Sequence, residues 1–501
     1  MQLYREIDIQ AITDKLDQII DEATNIKKKT LEPTIDECFD VKEVIKDYIM
    51  KKKRIIYGGT AYNELIKQKN KSDAIYKEND CKDIEFYTPK PIEDAMELAN
   101  VLHEKKFKYV QVRQAMHAET YTIFVNFEQY CDMSYIPNNI FLNMPAITIN
   151  GLMYSDPTWI LVDILRQYND PITSYWRLKD KTFFRANVLL KNYPLDFKIK
   201  KLEEEKTKYD NLKSEIYKQI CVFKSLIFVG SVSENYYLTR STTLITSNLE
   251  VISLNYLNDI KIINKIVEKI LGSKYKDIHV NSYKPFFQFR DEHIEWVYDN
   301  VILLKVYNSN HKCIPFNTLH IKSNNPELID SIQLGGYFTK RSTKRELNKK
   351  TIQETSETEE ISTEEKTKSD KNTIKIATFM VLFQHVLVDR HYLYINRSDK
   401  YKDVESRLGS LLKVRNEYLN SKSLTVIDSS PFKEFIIRCS GDTLDQGREF
   451  RLGLMRRKAQ GARLMFTYDP DGKGKANPPD YKFNNTSGNI DKTDINKIFD
   501  K

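Results

Sequence analysis

Residues 54–66 read R-I-I-Y-G-G-T-A-Y-N-E-L-I, and after a polar loop residues 83–87 read D-I-E-F-Y. Ile55, Ile56 and Tyr57 form a short apolar run that stops at Gly58-Gly59, the pattern of a buried strand running into a turn. Ala61, Leu65 and Ile66 then fall at helical spacing. The stretch predicts strand, Gly-Gly turn, helix. Two adjacent glycines admit a ligand close to the backbone, because no Cβ intervenes. The helix start beyond them offers free N–H groups and the positive end of a dipole, which suits a phosphate. Thr60 is placed to cap that helix or to bind a phosphate oxygen. Asn63 follows as an assisting residue.

In the second part of the stretch, strand side chains alternate, so Asp83 and Glu85 share one face while Ile84 and Phe86 take the other. Two such carboxylates repel by about 1 kcal/mol in water and about 4 kcal/mol at a protein-surface dielectric. Folding alone does not favour the pair, whereas a divalent cation reverses the sign. A phosphate cradle followed by paired acids points to nucleotidyl transfer with two metal ions roughly 3.5–4 Å apart. A third acid is expected on a neighbouring strand. The β-rich run Tyr121 to Ile136 supplies Asp132, with Glu128 of the same parity as the alternative.

This order of G-G-T, D-x-E and a later strand acid resembles the polymerase-β-like nucleotidyltransferases. The variant Y-G-G-T-A-Y-N, with S-D-P-T-W, D-I-L-R-Q-Y and D-P-I-T-S-Y-W-R-L-K downstream, is similar to the poly(A) polymerase catalytic subunits of poxviruses and giant DNA viruses. The resemblance spans roughly residues 50 to 330. One departure is Glu85, where the family more often has Asp. The resemblance implies template-independent addition of AMP to RNA 3′ ends, with ATP as substrate and two Mg²⁺ or Mn²⁺ ions on Asp83, Glu85 and Asp132. It implies triphosphate contacts from Gly58, Gly59 and Thr60, and further ones from Arg177, Lys179, Lys181 and Arg185. An amphipathic helix with a solvated basic face reads that last segment equally well. It also implies the cytoplasm of an infected host cell, with packaging in the virion as an extension. Adenine rests on the resemblance, so a uridylyl- or CCA-adding enzyme stays as an alternative. A non-catalytic RNA-binding processivity protein is the reading from another class, and three clustered acids argue against it.

Composition sets the remaining bounds. The chain has 501 residues, 41% hydrophobic and 30% charged, enough for two to four globular domains. No apolar run reaches membrane-spanning length. Six scattered cysteines without C-x-x-C spacing argue against a zinc site or a disulfide framework and for a reducing compartment. A net charge of +8 permits nucleic-acid binding without demanding it.

The expected fold is α+β. Residues 1–50 form a helical segment for packing or partner binding, without chemistry, with Ile7, Ile12, Leu16, Ile19, Ile20 and Ala23 on one face. A catalytic nucleotidyltransferase domain occupies 51–195, with a helix capped by Ser155. Over 196–335 the pattern repeats. Val229-Gly230-Ser231 matches the glycine turn and Asn248-Leu249-Glu250 matches Asp83-Ile84-Glu85, while the third-acid strand carries Lys305. This is expected to be a second, degenerate nucleotidyltransferase-like domain that closes the cleft. Residues 336–373 are a mobile charged insertion, 374–468 a helical part and 469–501 a disordered tail. Arg448, Arg451, Arg456, Arg457, Lys458 and Arg463 are candidate RNA contacts, against a solvated helix face. The assembly expected is a homodimer, or recruitment of a separate processivity subunit.

Overall fold

The computed structural model describes residues 3–77, 80–117, 119–200, 209–242, 248–309, 312–321, 329–335, 373–441, 443, 446–461, 465–472, 487–491 and 499. They fall into two compact units. One holds Met1–Phe141, Pro145–Ile160 and Gln446–Asn485; the other holds Leu142–Met144, Leu161–Asp445 and Thr486–Lys501. The divisions differ from the linear ones expected, because each sheet recruits a strand from the far C-terminal segment.

The first sheet uses β1 (Ile55–Tyr57), β2 (Ile84–Thr88), β3 (Gln111–Gln114), β4 (Thr120–Val125), β5 (Glu128–Tyr135), β6 (Ala146–Ile149) and β7 (Leu152–Ser155). The second uses β8 (Leu226–Val229), β9 (Leu249–Ser253), β10 (Ile278–Tyr283), β11 (His293–Tyr298), β12 (Val301–Asn308), β13 (Ile314–Ile321), β14 (Ile329–Gln333) and β15 (Thr373–Ala377). A short β16 (Cys439–Ser440) pairs with β13. Late in the chain, β17 (Thr467–Tyr468) joins the first sheet and β18 (Ile490–Asp491) the second.

The two sheets share one strand order. The first runs β17-β3-β4-β5-β2-β1-β7-β6 and the second, read the same way, β18-β10-β11-β12-β9-β8-β15-β13, with β14 added at the edge. Pairing senses also agree. β2 is parallel to β5 and β9 to β12, β1 is parallel to β7 and β8 to β15, and the other corresponding pairs are antiparallel. The repetition reaches single hydrogen bonds. Thr88 donates to Asp94 at 2.5 Å at the end of β2, and Ser253 donates to Asp259 at 2.5 Å at the end of β9. The expected internal duplication is therefore present in the described residues.

Several local expectations shift. The run Tyr121 to Ile136 is a hairpin rather than one strand, because Asn126 and Phe127 take positive φ and reverse the chain. β11 and β12 turn in the same way at Asp299-Asn300. Asp156, not Ser155, caps the helix Pro157–Tyr168, accepting from Thr158 N at 2.8 Å. Residues 374–377 belong to a strand before the helices begin. The tail contributes β18, while most of the 336–373 insertion lies outside the described residues. The cysteine reading is corrected: Cys38 pairs with Cys81 and Cys313 with Cys439, at Cα separations of 6.3 and 5.3 Å. Both separations suit disulfides, and spacings of 43 and 126 residues leave no local motif to announce them.

Candidate active site

The helix Gly58–Lys69 begins directly at Gly58, so the glycines are its first turn and no separate turn precedes it. Gly58 has φ +67°, and a Cβ there would run into the carboxylate of Glu85. Glycine is required twice over, by the backbone and by the neighbour. A Cβ on Gly59 would meet the Tyr76 hydroxyl. Gly59 N–H donates to Glu85 Oε2 at 2.8 Å, which ties the glycine turn to the acid strand. Thr60 does not cap the helix. Its hydroxyl donates to the Asp83 carbonyl at 2.9 Å and pins the start of β2. Asn63 is buried, and its side-chain oxygen accepts from Ile75 and Tyr76 N–H at 3.0 and 2.9 Å. It thus holds the loop that carries Tyr76, which occupies the group expected to assist a nucleotide.

Strand register sets the acids side by side. Tyr57 is opposite Glu85, Glu85 opposite Asp132, Asp132 opposite Thr122, and Thr122 opposite Arg113. Directly paired residues share a face. The alternate row, Ile84, Cys131, Ile123 and Val112, is fully buried on the other side. Asp83 stands just before β2. The Gln129 amide donates to Asp83 Oδ2 at 3.2 Å and to Asp132 Oδ2 at 3.1 Å, joining the two acids. Glu128 begins β5 exposed and opposite Val125, three register steps from Asp132, so Asp132 is the acid that meets Glu85. Below the acids, Tyr57 stacks on Tyr87 at 3.9 Å and its hydroxyl meets Ser134 at 2.6 Å.

Burial pushes the Asp132 carboxyl up to about 6, with repulsion from Asp83 adding to it, against hydrogen bonds from Thr122 and Gln129. The ionised acid thus costs stability above that pH, and a cation bound there removes the cost. An all-oxygen set of Asp83, Glu85 and Asp132 fits Mg²⁺ or Mn²⁺. A direct consequence is proton competition. Mn²⁺ affinity without nucleotide should weaken about tenfold per pH unit below about pH 6, read by paramagnetic relaxation titration. Asp132→Asn should flatten that limb; an affinity independent of pH in the wild type contradicts the site.

Sequence reading missed two cations. Arg113 lies exposed in the same row as Glu85 and Asp132, its guanidinium over the Phe124 ring at 5.1 Å. No motif marks it, because only the β4–β5 hairpin register brings it there. Lys42, on the helix Ile35–Lys52, feels the Asp83 charge, and burial followed by repulsion from Lys46 lowers its amine to about 8.

Arg177, Lys179, Lys181 and Arg185 belong to the second unit, where Arg177 lies over Trp176 at 4.5 Å and bonds Gln167. Arg448, Arg451, Arg456 and Arg457 lie on the helix Gln446–Ala459. Arg457 reaches Gln114, whose neighbour in the register faces away from the acids. Arg463 falls outside the described residues.

In the second unit the same row holds different chemistry. Val229, Glu250, Lys305, Glu295 and Asn281 replace Tyr57, Glu85, Asp132, Thr122 and Arg113, and Asn248 stands for Asp83. Lys305 Nζ lies 3.9 Å from Glu250 and 3.2 Å from Glu295. Glu250 also takes His385 Nε2 at 2.8 Å and the Tyr307 hydroxyl at 3.2 Å. Arg290 bonds Asp389 beside them. Glu250, His385 and Asp389 stand close enough to share an ion. Lys305 and Arg290 already supply two fixed positive charges to these carboxylates. A side-chain ammonium occupies this row at the step where the first unit has Asp132.

The chain is similar to known proteins along nearly its whole length. A family model described as "Poly(A) polymerase catalytic subunit" matches residues 43–174, and a C-terminal model for the catalytic subunit of an Acanthamoeba polyphaga mimivirus poly(A) polymerase matches 237–330 and 345–500. A mimivirus chain described as a poly(A) polymerase catalytic subunit is 33% identical over 529 residues, covering 97% of this chain and 82% of its own. Its counterpart in African swine fever virus (strain Badajoz 1971 Vero-adapted) is 33% identical over 171 residues, 33% of this chain and 36% of its own. The crystal structure of the Megavirus polyadenylate synthase matches with a TM-score of 0.80 and 28% identity, covering 98% of this chain and 93% of that one. With the glycine turn, the acid row and the doubled sheet all in place, the chain belongs to the poly(A) polymerase catalytic subunit family.

Proposed function

We propose that this protein extends RNA 3′ ends with AMP from ATP, without a template. The observation that carries it is the single row in which the Gly58 turn, Glu85 and Asp132 lie on adjacent strands of one sheet face. Family membership supports adenylate as the unit added. Asp83 and Glu85 would hold two Mg²⁺ or Mn²⁺ ions, with Asp132 on the second. Such ions, when bound, activate the attacking 3′ hydroxyl and neutralise charge on the transferring phosphoryl group. The chain's own residues do the positioning. Gly58 and Gly59 let Glu85 and Tyr76 close on the turn, and Thr60 fixes the strand that bears Asp83. Incubation with an oligoribonucleotide and each of the four NTPs separately tests the assignment. Extension is expected with ATP; extension with UTP or CTP alone overturns the adenylate reading.

The primer enters from the side opposite the triphosphate. The glycine turn follows β1, and beyond Asp132 the row runs through the buried Thr122 of β4 to the exposed Arg113 of β3. Arg113 there is assigned to an RNA phosphate, and its counterpart in the second unit is the neutral Asn281. Arg113→Ala should weaken RNA binding about tenfold at low salt, the equivalent of ~1.5 kcal/mol for one charge-assisted bond. The slope of log affinity against log salt should fall by ~0.7, the share of one single-strand phosphate. Arg113→Lys should restore the slope while KM for ATP stays constant in both. An unchanged slope removes Arg113 from the RNA track.

The description "catalytic subunit" in its family implies a companion. A second copy of this chain serves as that companion in our reading, and light scattering showing monomer alone at micromolar concentration counts against it. Among the described residues no helix is long and apolar enough to cross a membrane.

A further inference from the structure

Residues 171–192 of the second unit form one continuous helical stretch. It runs through a short helix Pro171–Ser174, a 3₁₀ turn Tyr175–Arg177, a π turn Leu178–Phe183 and the helix Phe184–Asn192. One side of the stretch is anchored, because Ser174, Thr182, Val188 and Leu189 are buried. The other side leaves aromatic rings in water. Tyr175 is 67% exposed, Trp176 57%, Phe183 51% and Phe184 47%. Among the described residues no other window of this length exposes four aromatic side chains. A contiguous apolar patch of this kind marks an interaction surface, and a π turn is a rare element found frequently at functional sites.

The charges in the same stretch select the occupant. From Tyr175 to Arg185 there are four cations and one acid, Asp180. The Arg177 guanidinium lies over the Trp176 ring at 4.5 Å, and the Lys181 amine over the same ring at 5.8 Å. Lys179 and Lys181 are exposed. Each of the four rings has a cation within two positions in the sequence. A protein partner with an apolar face would have to desolvate those cations, which is costly. A single-stranded nucleic acid instead alternates flat bases with phosphates, and so takes both the rings and the charges. A mononucleotide offers one base to four rings. Charge complementarity therefore favours a polynucleotide strand.

We propose that Tyr175, Trp176, Phe183 and Phe184, with Lys179 and Lys181, form a stacking surface for single-stranded RNA on the second unit. This rests on the RNA-extending activity proposed above and adds a second hold on the strand, besides Arg113 of the first unit. Stacking on rings accepts any base, so the hold is tolerant of sequence.

Tryptophan fluorescence tests it. The chain has three tryptophans, and Trp159 and Trp296 are buried, so an external quencher reads Trp176. A short oligoadenylate added to the full chain, without ATP or divalent ions, should quench the emission and protect it from acrylamide. Trp176→Phe should remove that signal and keep the affinity for labelled RNA, since a stacking ring remains. Trp176→Ala should weaken binding about fivefold or more, the loss of one stacked base. The salt dependence should not change in that variant, because no charge is lost. Lys179→Ala with Lys181→Ala should instead lower the slope of log affinity against log salt by ~1.4, two single-strand phosphates at ~0.7 each. All three side chains are exposed, so the substitutions spare the fold. Oligoadenylate that binds while Trp176 stays open to acrylamide overturns this surface and leaves the RNA-extending reading standing. A chain that binds no oligoadenylate overturns both. Protection by ATP alone makes the patch a mononucleotide site, and protection by blunt duplex RNA makes it a charged surface without stacking. Either result also overturns the proposal.

Discussion

Asp83→Ala should lower the rate of RNA extension by roughly 10³-fold or more while leaving the fold intact. The size follows from what the residue is asked to do. Chemistry of this kind is positioning and charge neutralisation, so an acid shared between two ions contributes to both and its loss is not confined to one contact. The intact fold follows from its surroundings. Asp83 is half-exposed at the edge of β2, and its structural tie is the backbone carbonyl that Thr60 holds, which alanine retains. Its side chain accepts from the Gln129 amide, at 3.2 Å, a group that also donates to Asp132. Removing one of two repelling carboxylates relieves Asp132, whose carboxyl should titrate closer to its ordinary value. Thermal unfolding and RNA affinity should therefore match the wild type. Extension at near wild-type rate would remove Asp83 from the reaction, and with it the reading of the acid row.

How much of this is legible in the sequence depends on the range over which each feature is encoded. Asp83, Glu85 and the glycines sit within about thirty residues and carry their own periodicity, so strand and helix can be read directly. The second half is legible because Gly230 and Glu250 recur in the same order of elements, a glycine turn and then an acid strand, and the sheet register then puts Lys305 opposite Glu250, where Asp132 lies opposite Glu85. The hairpin at Asn126-Phe127 escapes such reading, since β-rich residues on both sides mask the reversal. Arg113 depends on that reversal and is invisible with it. β17 and β18 are two residues each, drawn from segments of turn-like composition, and no local signal marks pairing to strands hundreds of residues earlier. The cysteine pairs are hidden for the same reason. Proximity in sequence assigns Thr60 to the nearest helix, whereas its bond runs to the next strand.

Glu250→Ala should leave extension per folded molecule unchanged and should cost about 3–5 kcal/mol of stability, the range for breaking a buried ion pair by removing one partner. The first half of that statement comes from the replaced row: Asn248 and Lys305 stand where Asp83 and Asp132 would be, so the row gives Glu250 neither of the acids that Glu85 has beside it. The second half comes from its present partners. Burial alone would raise the Glu250 carboxyl, but Lys305 and the His385 hydrogen bond outweigh it and hold the group well below the usual carboxylate range. Glu295 is drawn down in the same way to about 2, with burial opposed by His293 and Lys305. Alanine at 250 leaves Lys305 with Glu295 and strips His385 and Tyr307 of their acceptor. The sign with pH is fixed by the lowered carboxyls. Their stabilisation is present above the unfolded glutamate value of about 4.3 and is lost as the pH falls below it. The wild type should thus lose midpoint temperature steeply on acidification, and the variant should lose less. Calorimetry of both proteins at neutral and acid pH reads the difference. A variant as stable as the wild type at neutral pH shows that the network carries no net stability. A stable variant that no longer extends RNA shows instead that the second unit holds the chemistry, and that the roles of the two sheets are reversed.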